Sequence, residues 1–252
     1  MVLKFNDILN DFELTYKPFG ERSILIEWPN NISEEVLGNV LFHKDKLENF
    51  SFEEKVYIKH GYNSILITYD IGIDNFYDEI STLKSLEIDN KSNSKSTYKL
   101  WKIPVCYDLE FGIDLQELSH ENGLNISEII QLHIKTKYTI YFLGFLPGFL
   151  YLGGLNKKLH FPRKKSPRLK IDKGSVAIGG SQTGIYPNES PGGWNIIGKT
   201  PLNLFDAKHQ NPCFADAGDK IQFVSITKNE YSEILCKVEN DEYNCESEVI
   251  NG

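Results

Sequence analysis

Two arginines, each preceded by a proline, are the residues of this sequence best suited to bind an anion. Pro162-Arg163 and Pro167-Arg168 lie in the run 157–173, where eight lysines and arginines accompany a single acidic residue, Asp172. Proline stiffens the backbone ahead of each guanidinium, and a guanidinium can bind a carboxylate through two parallel hydrogen bonds. Arg163 and Arg168 are therefore candidate substrate-binding residues. The alternative is that both are solvated surface arginines on a rigid loop.

His133 is the candidate for proton transfer, because an imidazole can titrate near neutral pH. It follows apolar residues of a predicted helix and precedes a stretch rich in glycine and proline. The alternative is a core histidine that is hydrogen-bonded to a carbonyl group. None of the six histidines has the spacing of a metal-binding motif, so no metal site is predicted.

Aromatic residues and glycine clusters mark residues 133–201 as the expected functional centre. Tyr151, Tyr186 and Trp194 could form the walls of a binding site, although core packing is the common role of such residues. Glycines in clusters such as Gly179-Gly180 and Gly192-Gly193 indicate backbone that turns often and approaches another group closely. A plain hydrophobic core would not need them.

Two familiar catalytic patterns are not supported. The stretch 193–200, GWNIIGKT, has the letters of a phosphate-binding P-loop, but that pattern has meaning only between a strand and a helix. Here Ser190-Pro191-Gly192 precedes it and Pro201 follows it. The nucleophile-elbow pattern GxSxG is absent, because Gly179-Gly-Ser-Gln-Thr183 ends in threonine.

The bulk properties narrow the class of protein. A net charge of −8 and a pI of about 5.3 disfavour a broad nucleic-acid surface, and they leave the basic run as a site for a small anion. Four scattered cysteines and an N-terminus without a signal-peptide pattern predict a cytoplasmic protein with reduced thiols. Residues 138–156 carry no charge, but Pro147 and the glycines around it favour a buried strand-turn-strand over a membrane helix.

Two blocks of secondary structure must position these residues. Before residue 90, the pattern predicts an α+β sandwich with both helices on one face of the sheet: strands at 12–17, 23–28, 55–59 and 64–69, and helices at 33–49 and 74–86. After the polar segment at about 89–97, the prediction is a strand at 98–107, helices at 114–121 and from a Ser127 cap, and strands at 139–142, 175–178, 194–197 and 221–226. Such frequent turns favour a β-barrel or β-sandwich over a parallel sheet.

The second block resembles the family of 5-oxoprolinase B subunits, which is also described as the kinase-inhibitor KipI or allophanate hydrolase subunit 1 family. The resemblance rests on His133 and on five segments in unbroken order: DLQEL (114–118), GFLPGFLYLGGL (144–155), PRKKSPR (162–168), GSVAIGGSQTGIYP (174–187) and SPGGWNIIGKTPLNLFD (190–206). It implies an α+β protein with a small α/β sandwich as N-terminal domain, residues 1–90, and a cyclophilin-like β-barrel, residues 98–252.

The resemblance also implies a function. Family members act with the A and C subunits of 5-oxoprolinase to open the lactam ring of 5-oxo-L-proline to L-glutamate at the expense of ATP. We expect ATP on a partner subunit, no cofactor on this chain, and a chain that is inactive alone. Arg163 or Arg168 would bind the lactam carboxylate, backbone N–H groups around Gly180, Gln182 and Thr183 would face the lactam oxygen, and His133 would carry a proton.

The competing interpretation is a regulator. Some family members resemble inhibitors of a sporulation histidine kinase, and exposed Phe145, Phe149 and Tyr151 would then be candidate contacts with the kinase. A role in urea or allophanate metabolism rests on a shared domain name alone. Neither a nucleic acid nor a membrane is expected as a partner.

Overall fold

The computed structural model describes residues 12–86, 97–208 and 211–251, and the chain divides into two compact units, Met1–Ser96 and Thr97–Gly252. The linker predicted at about 89–97 lies outside the described residues except for Thr97, which begins a strand.

The first unit is a four-stranded antiparallel sheet with two helices on one face. Its elements are β1 (Thr15–Pro18), β2 (Ser23–Glu27), α1 (Glu34–Glu48), β3 (Val56–His60), β4 (Ser64–Tyr69) and α2 (Phe76–Ser85), and the strand order is β1-β2-β4-β3. Ile24 and Ile26 of β2 point to the same face as Ile65 and Ile67 of β4, because side chains on a strand alternate between faces. Val36 and Val40 of α1 and Leu83 of α2 pack on that face.

Polar side chains fix the starts of both helices. The hydroxyl of Ser33 accepts a hydrogen bond from the N–H of Val36, as the sequence predicts for this cap. In α2 the cap is Asn75, whose side chain accepts from the N–H groups of Tyr77 and Asp78. The helix therefore begins one to two residues later than the predicted start at Asp74.

The second unit is built on a closed barrel. Its elements are β5 (Thr97–Cys106), α3 (Leu115–Asn122), α4 (Ile126–Lys135), β6 (Lys137–Leu143), β7 (Leu150–Gly153), β8 (Arg168–Ile171), β9 (Ser175–Gly179), β10 (Gln182–Ile185), β11 (Ser190–Gly192), β12 (Asn195–Lys199), β13 (Lys220–Ile226), α5 (Lys228–Glu239) and β14 (Ser247–Asn251). Among the described residues, seven strands follow one another around the barrel in the order β12-β9-β10-β7-β6-β13-β5, and Lys199 of β12 pairs with Cys106 of β5 to close it. The predicted fold class, an α+β protein with a small sandwich and a C-terminal barrel, is confirmed.

Strands β9 and β12 of the barrel have buried side chains on both of their faces. Val176 and Ile178 of β9 and Ile197 of β12 belong to the large interior core. Their sequence neighbours Ala177 and Ile196 point to the opposite face. They belong to a second cluster, together with Phe149, Ile171, Tyr186 and Trp194. The ribbon formed by β8 and β11 contributes Ile171 to this second cluster. The two faces of β9 and β12 therefore contact different environments, and this divides the predicted site residues.

The uncharged stretch 138–156 forms the hairpin of β6 and β7, as expected from Pro147 and the neighbouring glycines. Within the part of the chain that the structure describes, every helix is too short or too polar to cross a bilayer.

One predicted helix cap is wrong, and five elements were not predicted: strands β8, β10 and β11, helix α5 and strand β14. The cap of α4 is Asn125, not Ser127, because Asn125 and Glu128 exchange side chain–backbone hydrogen bonds in a capping box. The same box, between Thr227 and Glu230, begins α5, which was not predicted. The spacing of threonine and glutamate was the available signal. β14 was also missed, and it pairs with the first half of β5.

A buried carboxylate joins the strands at one end of the barrel. Asp219, 6% exposed, accepts hydrogen bonds from the N–H of Lys99 at 3.0 Å, from the indole N–H of Trp101 at 2.9 Å and from the N–H of Asp216 at 3.2 Å. Its own C=O accepts from the N–H of Ile140 at 2.9 Å. Asp219 therefore connects the segment before β13 to both β5 and β6.

Replacing this carboxylate should destabilise the barrel. We expect Asp219→Ala to lower the free energy of unfolding by about 2–4 kcal/mol, because three donors lose their acceptor, one of them a buried indole N–H. Urea denaturation measures the loss. The matched control is Asp172→Ala, which removes an exposed carboxylate 3.2 Å from Lys199 and should cost less than about 1 kcal/mol. Equal losses in the two variants would contradict the role assigned to Asp219.

Candidate functional site

Asp114 and Arg168 form a buried ion pair that organises the region around the proline-arginine loop, residues 162–168. Both guanidinium nitrogens of Arg168 donate to the Asp114 carboxylate, at 2.9 and 2.6 Å. The same carboxylate, 4% exposed, accepts the N–H of Ile196 at 2.7 Å and lies 3.2 Å from the ammonium of Lys164. Arg168 therefore directs its fork to a carboxylate of its own chain.

The surrounding donors keep Asp114 ionised. Burial acts to raise the pKa of its carboxyl group, but the hydrogen bonds from Arg168, from the Ile196 N–H and from Lys164 outweigh burial and hold the pKa below its usual value. The negative charge is thus permanent at neutral pH, and Arg168 stays paired.

Backbone hydrogen bonds fix the remainder of the proline-arginine loop. The side-chain amide of Asn195 donates to the C=O of Pro162 at 2.9 Å, and the N–H of Lys164 donates to the C=O of Gly193 at 2.7 Å. The ammonium of Lys164 also contacts Glu117 of α3. The loop is held on both sides of Arg163, so the position of that residue is set by its neighbours.

Arg163 is the arginine that stays available. It is exposed, and its guanidinium carbon lies 5.4 Å from the centre of the Trp194 ring. Within residues 12–86, 97–208 and 211–251, no carboxylate forms an ion pair with it. A cation over an indole ring is attracted by the ring face, and this interaction keeps the fork donors of Arg163 free to bind an anion.

An aromatic layer lies beneath this guanidinium. Phe149 is at its centre and makes edge contacts with Tyr186 and Trp194, each with ring centres 5.6 Å apart. Tyr151 lies 4.9 Å from Phe149 and stacks on Phe142 at 4.2 Å. Three of the predicted aromatic wall residues, Tyr151, Tyr186 and Trp194, therefore share one cluster with Arg163.

The tyrosine hydroxyls of this cluster are protonated donors at neutral pH. Burial raises the pKa of Tyr151 and of Tyr186, and the positive charge of Arg163 opposes the rise at both. Because Arg163 affects the pKa of both tyrosines, both hydroxyl groups lie within reach of its charge. Tyr151 is half-buried, whereas Tyr186 is buried.

The glycine clusters serve this aromatic layer. A Cβ added at Gly179 would be 2.6 Å from the indole of Trp194, and one added at Gly192 would overlap the hydroxyl of Tyr186. The close approach that the clusters indicated is therefore an approach to rings of the same chain. No extra ligand is needed to explain these two glycines.

Gly180 lies in the turn between β9 and β10, and Gln182 and Thr183 are the first two residues of β10. The N–H of Gly180 donates to the C=O of Phe161 at 2.7 Å. Thr183 is fully buried, and its hydroxyl donates to the C=O of Ala177 at 3.0 Å. Gln182 is half-buried. The structure brings Thr183 to the barrel interior, away from the face that carries Arg163.

His133 also lies in the interior, with no exposed surface. Its Nε2 is 2.9 Å from the Thr183 hydroxyl and its Nδ1 is 2.7 Å from the Tyr107 hydroxyl, while its ring stacks on Phe223 at 4.4 Å. The proton of the Thr183 hydroxyl goes to Ala177, so Nε2–H donates to Thr183 and Nδ1 accepts from Tyr107. The neutral ring is fully hydrogen-bonded.

This environment opposes the proton-carrier hypothesis and favours the core alternative, with hydroxyl groups in place of a carbonyl. Burial lowers the pKa of His133 to about 3, so the ring is neutral at physiological pH. A proton carrier must also reach its substrate, and none of the His133 ring is exposed.

The structure does not fit the P-loop pattern, and it separates two of the predicted kinase contacts. Residues 195–199 of the P-loop-like segment form strand β12, and Lys199 pairs with Asp172. Phe149, a predicted kinase contact, is 2% exposed and cannot be part of a docking surface, whereas Phe145 is 68% exposed. Among the described residues, no group of three or more histidines, cysteines or carboxylates could hold a metal ion.

A separate cleft of about 440 Å³ lies at the ends of β5 and β13, beside Cys106. Lys228 on its wall is paired with Asp108 and Glu110, so the cation is already neutralised. Burial raises the pKa of the Cys106 thiol, which makes it a poor nucleophile. The Arg163 face, with its unpaired guanidinium, has the better chemistry for an anionic ligand.

Comparisons with known proteins identify the class of fold first. A family model described as the carboxyltransferase domain, subdomain C and D, matches residues 14–215. The urea carboxylase of Kluyveromyces lactis has the same fold over 95% of this chain and 24% of its own, with a TM-score of 0.77 and 19% identity. The crystal structure of TTHA0988 matches 81% of this chain and 40% of its own length, with a TM-score of 0.70 and 30% identity.

Curated relatives then define the family. The B subunit of 5-oxoprolinase from Bacillus subtilis (strain 168) is 36% identical over 226 residues, which are 84% of this chain and 92% of that protein. The protein of the same name from Escherichia coli O157:H7 is 46% identical over 123 residues, or 49% of this chain and 56% of that one. The chain belongs to the family of 5-oxoprolinase B subunits, and the resemblance inferred from its motifs is confirmed.

The role of His133 can be tested through the pH dependence of stability. Its pKa is lower in the folded chain, about 3, than the ordinary value of 6.5, so the unfolded chain binds the extra proton between these values. The free energy of unfolding should therefore rise with pH across this window, by up to about 1.4 kcal/mol per pH unit from this group. The contribution of His133 should reach its full value above pH 6.5.

We expect His133→Asn to lower the free energy of unfolding at pH 7 by about 2–4 kcal/mol and to flatten its rise between pH 4.5 and 6.5. Urea denaturation at several pH values measures both effects. His43, whose pKa burial also lowers, is present in both proteins and cancels in the difference. A variant as stable as the parent that has lost activity would instead support the proton-carrier hypothesis.

Proposed function

We propose that this chain is the B subunit of an ATP-dependent 5-oxoprolinase, which acts with the A and C subunits to open 5-oxo-L-proline to L-glutamate. The observation that carries the proposal is the exposed, unpaired guanidinium of Arg163 over Trp194, in a chain whose curated relatives are named as B subunits of 5-oxoprolinase. A compact anionic lactam matches a site in which this guanidinium lies beside an aromatic wall.

The proposed contribution of this chain is binding and orientation of the substrate. Arg163 would bind the carboxylate of the lactam through its two parallel N–H groups. The ring would lie against the aromatic layer beside Trp194, next to the half-buried side chain of Tyr151. Arg168 is a weaker candidate for the carboxylate because Asp114 occupies its fork.

The bond-breaking groups would come from elsewhere in the complex. A lactam amide is stabilised by resonance, so its opening requires activation, which ATP supplies in the proposed reaction. Strand geometry at residues 195–199 supports ATP binding by a partner subunit, because a P-loop would need a loop ahead of a helix. His133, the candidate proton carrier, is fully buried in the barrel interior. We therefore expect the chain to be inactive alone.

Reconstitution tests the function directly. We expect ATP-dependent release of glutamate from 5-oxoproline when this chain is combined with the A and C subunits of its own organism, and no release when this chain is omitted. A coupled glutamate assay with purified proteins measures the rate. Full activity of the A and C subunits without this chain would contradict the proposal.

Arg163 can be tested in the same assay. We expect Arg163→Ala to raise KM for 5-oxoproline about 10–100-fold with little change in kcat, because a charge-assisted hydrogen bond of about 1.5–3 kcal/mol is lost equally from the ground state and the transition state. The matched control is Lys173→Ala, which removes an exposed cation outside the proline-arginine loop and should leave KM unchanged.

Arg168→Ala separates the two arginines. It leaves the buried Asp114 carboxylate without its main partner, so we expect a loss of folding stability of about 3–5 kcal/mol, measured by urea denaturation.

For Arg163→Ala, an unchanged KM for 5-oxoproline would exclude Arg163 from binding the carboxylate of the lactam.

A further inference from the structure

The turn between β6 and β7 holds an exposed aromatic side chain in a strained conformation. This tip, residues 144–148, carries Phe145, which is 68% exposed and has a φ of 62°. Among the described residues, only Asp241 shares a positive φ without being glycine, and it follows the end of α5, where such a conformation is common. A phenylalanine in the left-handed region is an outlier that needs another explanation.

Local hydrogen bonds and close packing hold the backbone of the tip. The N–H of Leu146 donates to the C=O of Gly144 at 2.8 Å, and the N–H of Phe149 donates to the C=O of Leu146 at 3.0 Å. Gly148 has a φ of 83°, and a Cβ at this position would be 2.5 Å from the Cβ of Phe205. The backbone therefore presents Phe145 in one orientation. A side chain fixed in advance loses little conformational entropy when it binds a partner.

The tip is continuous with the candidate site. Phe145 makes an edge contact with Phe149, with ring centres 5.7 Å apart, and Phe149 contacts Trp194, which lies beneath Arg163. Pro147 is exposed, and Phe142, Leu143 and Leu146 are half-buried, so the surface around the tip is apolar and uncharged. An apolar projection therefore lies beside a basic loop. The complementary surface is an apolar pocket with carboxylates on its rim.

We propose that Phe145 inserts into such a pocket on the C subunit of the enzyme, so that the substrate site is completed at the interface between the two proteins. The identity of this partner rests on the proposed function. A symmetric contact between two copies of this chain is disfavoured, because it would oppose the two basic loops.

The comparisons provide a second reason for a different partner. The family model that matches this chain is labelled subdomains C and D of a larger carboxyltransferase domain. TTHA0988 and the K. lactis urea carboxylase match over only 40% and 24% of their own lengths, so the same fold is part of longer chains there. Such a fold adjoins further protein in these relatives, and a separate protein could supply the equivalent surface here.

The test measures the affinity of this chain for the C subunit of its own organism, by isothermal titration calorimetry. We expect Phe145→Gly to weaken the dissociation constant at least 30-fold, the loss that corresponds to a hot-spot side chain of about 2 kcal/mol. Glycine accepts a φ of 62° without strain, so the isolated variant should resist urea as well as the parent or better. This pair of results separates a lost contact from a damaged fold.

The matched control is Tyr77→Ala, which removes an aromatic side chain that is 81% exposed on α2 and should leave the dissociation constant unchanged. Lys165→Glu, in the basic loop, should weaken binding and reduce its dependence on salt. Equal affinity of the parent and Phe145→Gly, or no binding of the parent to the C subunit, would overturn the inference. So would a dimer of this chain, seen by light scattering, that Phe145→Gly dissociates.

The outcomes also separate the inference from the proposed function. Glutamate release by the reconstituted parent together with unchanged binding by Phe145→Gly would reject the docking role alone. Weakened binding by Phe145→Gly without glutamate release by the parent complex would reject the function and keep the interface.

Discussion

The buried carboxylate of Asp114 is the constraint on which the candidate site depends. An ionised group that is 4% exposed must be paired, and here its partners come from two other parts of the chain: Arg168 and Lys164 in the proline-arginine loop and the N–H of Ile196 in β12. The carboxylate thus ties the start of α3 to the loop and to the barrel. Because it pairs with Arg168, it also determines which arginine remains free. Arg163 extends from the same fixed loop over the ring of Trp194, with no carboxylate partner among the described residues.

Closure of the barrel separates the remaining residues into two environments. Side chains on β9 and β10 alternate between the interior, where Thr183 meets His133, and the outer face, where Ala177 lies beneath the aromatic layer. Residues that are neighbours in sequence therefore belong to different networks. The interior network of Tyr107, His133 and Thr183 satisfies buried polar groups and stabilises the core. The outer face has the exposed cation, a half-buried phenol and an exposed apolar projection, which are features of recognition.

Under the proposed function, this chain holds the substrate and partner subunits break the bond. The candidate site has a cation, a protonated phenol and an indole face, whereas the candidate proton carrier, His133, is enclosed in the barrel. The strained Phe145 beside this site then has a physical explanation, since strain in a free subunit is tolerated when the complex uses the exposed side chain. Under the proposed function, recognition and assembly occur on one continuous surface. A substrate bound there would be enclosed only after the partner docks.

Motif order, apolar periodicity and turn residues are local properties of the chain, so the family, the α+β class and most elements of the barrel could be predicted from the residues alone. The same reasoning identified both arginines and the three aromatic residues around Phe149 as members of one candidate site. It could not show that Arg168 is paired with Asp114, 54 residues away, that His133 is enclosed, or that Thr183 faces inward. Charge pairing and burial depend on which distant strands become neighbours. Residue type and spacing specify the groups available, and barrel closure decides which of them can meet a ligand.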